Sequence, residues 1–290
     1  MLLALARALR PAQWAKNLFV LAPVVFAQKL LEPRAAAGAM LAFVAFCAAS
    51  SAIYLINDLR DREEDRRHPL KKLRPIASGA LPVSIAAAAA VLLALGAMGL
   101  CAWLGTAVLM LTLLYLVLNL GYSFGLKHVV ILDVLIVSVG FVLRVMVGAD
   151  AVQVKISSWL LLCTIFLALF LAVSKRRHEL LLLAGSASSQ RRVLDAYSPQ
   201  LLDQMINVVT ASAVVSYALY TLAPETVARF HTDHLVYTVP LVLFGVFRYL
   251  YLIYQRHDQR NPTEAILADG PFLINLLLWG LAVLWIVYLA

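Results

Sequence analysis

Nine separate apolar runs, each close to the roughly 20 residues that an α-helix needs to cross a bilayer, limit this chain to very few folds. They fall near 17–33, 36–56, 83–104, 106–124, 129–150, 157–174, 204–223, 235–255 and 271–289. Only "LGTA" separates the third from the fourth, which predicts a tight helical hairpin there. The expected class is an all-α polytopic membrane protein, one membrane domain over 1–290 with no linker and no short-period repeat.

Composition closes the alternatives. At 63% hydrophobic and 14% charged residues, with a mean hydropathy of +0.87, a soluble domain of 290 residues would expose far too much apolar surface. The net charge of +8 does not imply nucleic acid, because basic excess in a membrane protein reports loop orientation. Cys47, Cys101 and Cys163 all lie inside apolar runs, match no metal or haem spacing, and read as small buried hydrophobes. Arg7, Arg10 and Lys16 ahead of a run ending "VFAQ" imitate a signal peptide. The set of spans that follows needs that run for parity, so it is expected to stay uncleaved.

Counting Lys and Arg orients the spans. With the N-terminus inside, eighteen of the 24 lie in cytoplasmic segments, and only Lys29, Arg34, Lys155 and Arg229 lie outside. Arg144 and Arg248 fall within spans. The expected arrangement is a cytoplasmic N-terminus, with inside loops near 57–82, 125–128, 175–203 and 256–270. Everything chemically dense then faces one side.

The densest stretch is "NDLRDREEDRRHPLKKLRP", residues 57–75. Asp58, Asp61 and Asp65 stand at i, i+3 and i+7, within an arc of about 60° on one helix face. Three converging carboxylates repel unless a divalent cation neutralises them. Mg²⁺ suits the set, since it takes oxygen ligands and is commonly shared between carboxylates and substrate phosphates. Asn57 can orient a carboxylate or bond a phosphate oxygen. The plainer reading is a solvated helix end, with Arg62, Arg66 and Arg67 pairing the acids locally. His68, Lys71, Lys72 and Arg74 follow, and bases beside a metal-binding face suit a diphosphate. Lys71 and Lys72 could equally anchor to anionic headgroups.

These residues carry a resemblance. "NDLRDREEDRRHPLKKLRPIASG" is similar to the first aspartate-rich motif of the UbiA superfamily of intramembrane prenyltransferases. Members are bundles of nine helices around a central cavity open to the membrane, in which Mg²⁺ holds a diphosphate. "RPAQWAKN", "HPLKKLRPIASG", "YSFGLKH" (122–128), "GFVLR" (140–144) and "SKRRHEL" (174–180) resemble, more narrowly, its decaprenyl-phosphate phosphoribosyltransferase branch. The likeness runs from residue 10 to about 180, and more loosely to "NPTEAILAD" at 261–269. It implies transfer of 5-phosphoribose from phosphoribosyl diphosphate to a polyprenyl phosphate, for arabinose-donor and cell-envelope synthesis. A bacterial inner-membrane location with a cytoplasmic site follows, and a homo-oligomer is compatible with it.

Aromatic prenyltransferases carry a second aspartate-rich motif after span six. Here that segment reads Lys175-Arg176-Arg177-His178-Glu179. Bases there would suit a second phosphorylated reactant, with Lys175 and Arg176 as the expected ligands. Alternatively they anchor the cytoplasmic face, each within i+4 or i+3 reach of Glu179. Lys16, Tyr122, Lys127 and His128 are further expected phosphate ligands, although each would also serve as an interfacial anchor. Asp133, Gly140 and Arg144 share a face of span five. Arg144 lies about 16 Å deeper than Asp133, at 1.5 Å per residue, and needs a partner elsewhere.

In the expected chemistry, metal on Asp58, Asp61 and Asp65 stabilises the departing diphosphate, and an already ionised phosphate oxygen attacks. No general base is needed, and no nucleophile set is present. One rival keeps the site but moves a prenyl group from prenyl diphosphate to an aromatic or lipid acceptor. Another, of a different class, is a non-catalytic transporter. Transporters place ionisable groups near the midplane and show repeat halves, which this sequence does not.

Overall fold

The computed structural model describes residues 1–67, 71–184, 196–255 and 268–289. His68, Arg191 and Arg192 with the polar stretch 185–195, Arg256, Arg260 and 261–267 of "NPTEAILAD" lie outside the described residues. Every regular element among those described is helical. Among the described residues, eight helices are long and apolar enough to cross a membrane, which makes this a multi-pass membrane protein.

By their internal packing the described residues divide into two units, 1–125 with 140–156, and 126–139 with 157–290. In the first unit, α1 (Leu2–Ala8) leads into a 3-10 segment (Pro11–Val20) and a short α2 (Ala22–Phe26). Then come α3 (Pro33–Arg60), α4 (Arg62–Arg67), a 3-10 turn (Lys71–Leu73), α5 (Val83–Leu104) and α6 (Thr106–Phe124). Helix α7 (Leu132–Ala151) gives its first half to the second unit and its second half to the first. The second unit continues with α8 (Ser158–Ala184), α9 (Pro199–Leu222), α10 (Pro224–Phe230), α11 (Val239–Tyr254) and α12 (Gly270–Tyr288).

Small residues let the helices of the first unit pack closely. Ala42, Ala45, Phe46 and Ala49 of α3 are buried in one cluster with Ala97 and Cys101 of α5. Lipid tails are as apolar as leucine, so close van der Waals packing rather than hydrophobicity holds such helices together. Gly105 alone joins α5 to α6, at φ 150° and ψ 157°, a backbone region essentially reserved for glycine. The predicted hairpin is present.

The segment expected to span at 17–33 departs from a continuous α-helix. Pro23 has no N–H to give the preceding turn, and the chain changes there from 3-10 to a short α-helix. What replaces the helical ladder is side-chain bonding to α3. Trp14 Nε1 donates to Ser51 Oγ (3.0 Å), and Asn17 Nδ2 donates to Ser50 Oγ (3.1 Å). At Gly148 of α7, a Cβ would collide with the carbonyl of Val20, so only glycine admits this segment so close.

In the second unit, Phe170 and Val173 of α8 pack with Leu202 and Ile206 of α9 and with Tyr249 of α11. Asp269 caps α12, accepting from Phe272 N (2.9 Å), and takes Arg248 through both oxygens (3.0 and 2.9 Å). That pairing accounts for one of the two arginines expected inside spans.

Candidate functional site

Helix α3 is 28 residues long and ends in the acidic stretch. It stops at Arg60 and α4 starts at Arg62, so the acids do not lie on one unbroken helix. The four-residue hydrogen-bond spacing nevertheless passes through the break. Asp61 N donates to Asn57 O (2.9 Å) and Asp65 N to Asp61 O (2.8 Å). Asp58 and Asp65 therefore fall on one side, both buried, while Asp61 is half-buried.

Two arginines meet that pair. Arg74 Nη1 donates to Asp58 Oδ1 (3.1 Å) and to Asp65 Oδ2 (2.7 Å), a single nitrogen bridging two carboxylates. Arg10 Nη2 donates to the same Asp58 oxygen at 2.5 Å, and its guanidinium lies 5.0 Å from the centre of the Tyr54 ring. The expectation of carboxylates with no interleaved cation is thus corrected: Arg74, expected as a phosphate ligand, stands between the acids. Of the local arginines, Arg66 bonds Glu63 and the Ala77 carbonyl, and Arg62 lies 3.7 Å from Glu63. Burial pushes the Asp65 carboxyl up from its ordinary value, against the opposing pull of Arg74 and Lys71.

No three His, Cys, Asp or Glu side chains among the described residues already stand grouped as a metal would hold them. The pair fits Mg²⁺ all the same. Its donors are carboxylate oxygens, one cationic nitrogen already reaches both of them, and Mg²⁺ usually takes only one or two carboxylates plus phosphates and water.

The other expected ligands of this unit are placed around the same stretch or its helices. Asn57 precedes Asp58 on α3, and Lys71 lies in the 3-10 turn just before Arg74. Tyr122 lies in the last turn of α6, whose Phe124 carbonyl accepts from Arg60 Nη2 (3.4 Å). Lys16 is half-buried in the 3-10 segment that Arg10 precedes.

Deeper in the same unit, Arg144 finds its partner. Its Nε donates to Asn17 Oδ1 (2.8 Å), Nη1 to the Gly140 carbonyl (2.8 Å) and Nη2 to Tyr115 Oη (3.0 Å). Asn17 is fully buried, and it also donates to Cys47 Sγ (3.4 Å). A charge inside a span is costly, and here neutral oxygens and two aromatic rings surround it.

The second unit holds a different cluster. Helix α8 continues from 174 to 184, so "SKRRHEL" is helical rather than loop. Arg176 Nε donates to Asp133 Oδ2 and Nη1 to Glu179 Oε2, both at 2.5 Å. Lys175 lies 3.8 Å from Glu179. These are the i+3 and i+4 pairs that sequence spacing allows, and they sustain the helix past its apolar run. Arg176 is only 5% exposed at its side chain, held between Asp133 and Glu179. Tyr197 Oη donates to the other Asp133 oxygen (2.8 Å) and accepts from Ile131 N (2.7 Å). Burial, with Asp133 adding, pushes the Tyr197 hydroxyl up to about 12, so it keeps its proton. Lys175 is half-exposed, His128 is exposed and Lys127 is buried.

Sequence reasoning missed Arg10, whose bond to Asp58 spans 48 positions. The one available signal was its place at the start of "RPAQWAKN".

The sequence matches the UbiA prenyltransferase family over residues 18–277. It is 37% identical to the decaprenyl-phosphate phosphoribosyltransferase of Corynebacterium glutamicum, covering 98% of this chain and 86% of that protein. Against the protein of the same name from Mycolicibacterium smegmatis it is 36% identical, covering 95% and 89%. The fold is similar to a solved UbiA homolog from Archaeoglobus fulgidus bound to DMAPP and Mg²⁺, with a TM-score of 0.73, 17% identity and 99% of each chain covered.

Proposed function

Because the chain belongs to the UbiA prenyltransferase family, we propose that it moves 5-phosphoribose from phosphoribosyl diphosphate to a polyprenyl phosphate. It is a transferase of that family. The relatives named as decaprenyl-phosphate phosphoribosyltransferases, 36–37% identical over nearly the whole chain, support the donor and acceptor. The observation that carries the reading is the bridged pair Asp58 and Asp65, two carboxylates already arranged around one cation position.

In this reading the C1–O bond of the donor breaks and its electron pair leaves with diphosphate. A phosphate oxygen of the lipid forms the new bond to C1. Bound Mg²⁺ would supply charge for the leaving diphosphate. Asp58 and Asp65 would hold that metal, with Asp61 ligating through water. Asn57 and Lys71 would bond diphosphate oxygens, and Lys16 from the 3-10 segment and Tyr122 from the last turn of α6 would donate to phosphate. Lys127, His128 and Lys175 are the donors proposed in the second unit, where Arg176 ties α8 to Asp133 of α7. The attacking phosphate is ionised at neutral pH, so no side chain need take its proton. The membrane would be the bacterial inner membrane, with the acidic stretch on the cytoplasmic side.

The test is a transfer assay on membranes containing the chain. Labelled phosphoribosyl diphosphate and Mg²⁺ are supplied with and without polyprenyl phosphate. Label should enter the organic phase only when the lipid is present. Transfer from a prenyl diphosphate instead, with none from phosphoribosyl diphosphate, would overturn the donor assignment.

A further inference from the structure

The charge count at the acidic pair carries a consequence that family membership does not. Two carboxylates, Asp58 and Asp65, face two guanidiniums, Arg10 and Arg74. These four paired groups balance one another, with Lys71 adding positive charge toward Asp65, and Asp58 is 2% exposed. A bare divalent cation entering here would leave an excess of two positive charges in a poorly solvated place. It would also have to displace the Arg74 nitrogen, which occupies the position between the two oxygens. A guanidinium released from a carboxylate needs another anion, and phosphate oxygens match its fork of donors.

We propose that Arg10 and Arg74 are exchangeable counter-cations. They neutralise Asp58 and Asp65 and pass to the diphosphate when metal arrives, so the site takes metal and diphosphate together and resists metal alone. The inference rests on the diphosphate reading above, not on which group the diphosphate carries.

Both arginines are built to move. Their side chains keep 27% exposure, and each comes from a short connection rather than a long helix. Arg74 directly follows the 3-10 turn Lys71–Leu73. Arg10 joins α1 to the 3-10 segment in a left-handed conformation, φ 54° and ψ 61°. That conformation is strained for a residue bearing a Cβ and is further disfavoured before Pro11. The bond to Asp58 and the stacking on Tyr54 hold it there. Losing the Asp58 contact loosens that hold.

The experiment uses the full chain in nanodiscs, with Mn²⁺ as the spectroscopic probe, alone and with inorganic diphosphate. In the unsubstituted protein, diphosphate should tighten Mn²⁺ binding by about tenfold or more, and Mn²⁺ should tighten diphosphate reciprocally. Arg10→Gln should respond with opposite signs. Bare Mn²⁺ should bind about tenfold tighter, and diphosphate in the presence of Mn²⁺ about tenfold more weakly. Arg74→Gln should do the same, and Arg10→Lys should fall between. A merely structural arginine would weaken both ligands together, and that result in either folded Gln variant would overturn the proposal. Should Arg10→Gln not fold, Arg10→Lys and Arg74→Gln decide it by the same signs. If instead the donor assignment is wrong, phosphoribosyl transfer is absent while the opposite-sign response persists.

Discussion

Asp58 and Asp133 are both buried carboxylates at the ends of long apolar helices, and each accepts from an arginine at 2.5 Å. They differ in what surrounds the arginine. Arg10 and Arg74 come from short connections and keep contact with water, whereas Arg176 lies on α8 with 5% of its side chain exposed. Tyr197 closes the remaining Asp133 oxygen. Breaking a buried pair strands a charge, and Arg176 at 5% exposure is shielded from the water that could replace it. In the proposed reading, a metal with its diphosphate takes that part in the first cluster. On that reading the same chemical pair is a site in one unit and a brace in the other, and solvent access to the cation decides which.

The sharpest way to break this comparison is to neutralise each acid in turn. Asp58→Asn should lower transfer by about a thousandfold, or about 4 kcal/mol, while thermal stability in detergent changes little. A loss of stability matching the loss of activity would put Asp58 in the same class as Asp133. Arg176→Met should do the reverse, costing about 3–5 kcal/mol of stability by stranding Asp133, with Mn²⁺–diphosphate affinity unchanged. The double variant Asp133→Asn with Arg176→Met should recover part of that cost, since an uncharged pair leaves no orphan. If Arg176→Met weakens phosphate binding without destabilising the chain, the structural reading of Arg176 is wrong.

Metal removal gives a smaller effect. Chelation should abolish transfer reversibly and yet shift the melting temperature by no more than about 2–4 °C, corresponding to about 1 kcal/mol, because Arg10 and Arg74 already pair with the acids. A collapse on chelation would mean that the acids depend on the metal to fold. The smallest effect is expected at Lys175. Its contact with Glu179 is half-exposed and long at 3.8 Å, so Lys175→Ala should change stability by under about 0.5 kcal/mol. Any larger change in the donor KM then reports phosphate binding rather than packing.

Run length and polarity alone placed most of the fold. The expected runs at 83–104 and 106–124 coincide with α5 and α6, and those at 235–255 and 271–289 lie within a residue of observed spans. The run at 17–33 misled because hydropathy does not register that Pro23 interrupts the ladder or that Asn17 is bonded into a buried network. Helix α8 outran its apolar stretch because charged pairs, invisible to a hydropathy count, continue it. The acids of the candidate site were legible because helical spacing is local. Their neutralising partners were not: Arg10 lies 48 positions from Asp58, Arg176 lies 43 from Asp133, and Asn17 lies 127 from Arg144. Only folding brings such pairs together.

Helix α3 rises about 42 Å over its 28 residues, against a hydrocarbon thickness of about 30 Å. Its apolar run closes at Ile56, and Asp58 follows within about 3 Å of rise. Asp58 is therefore carried just beyond the apolar run on a rod of fixed length. Bilayers differ in thickness by a few Å, and helices answer by tilting. Lipid chain length thus becomes a variable of this site: thicker bilayers draw the acids toward hydrocarbon, and thinner ones release them into the headgroups.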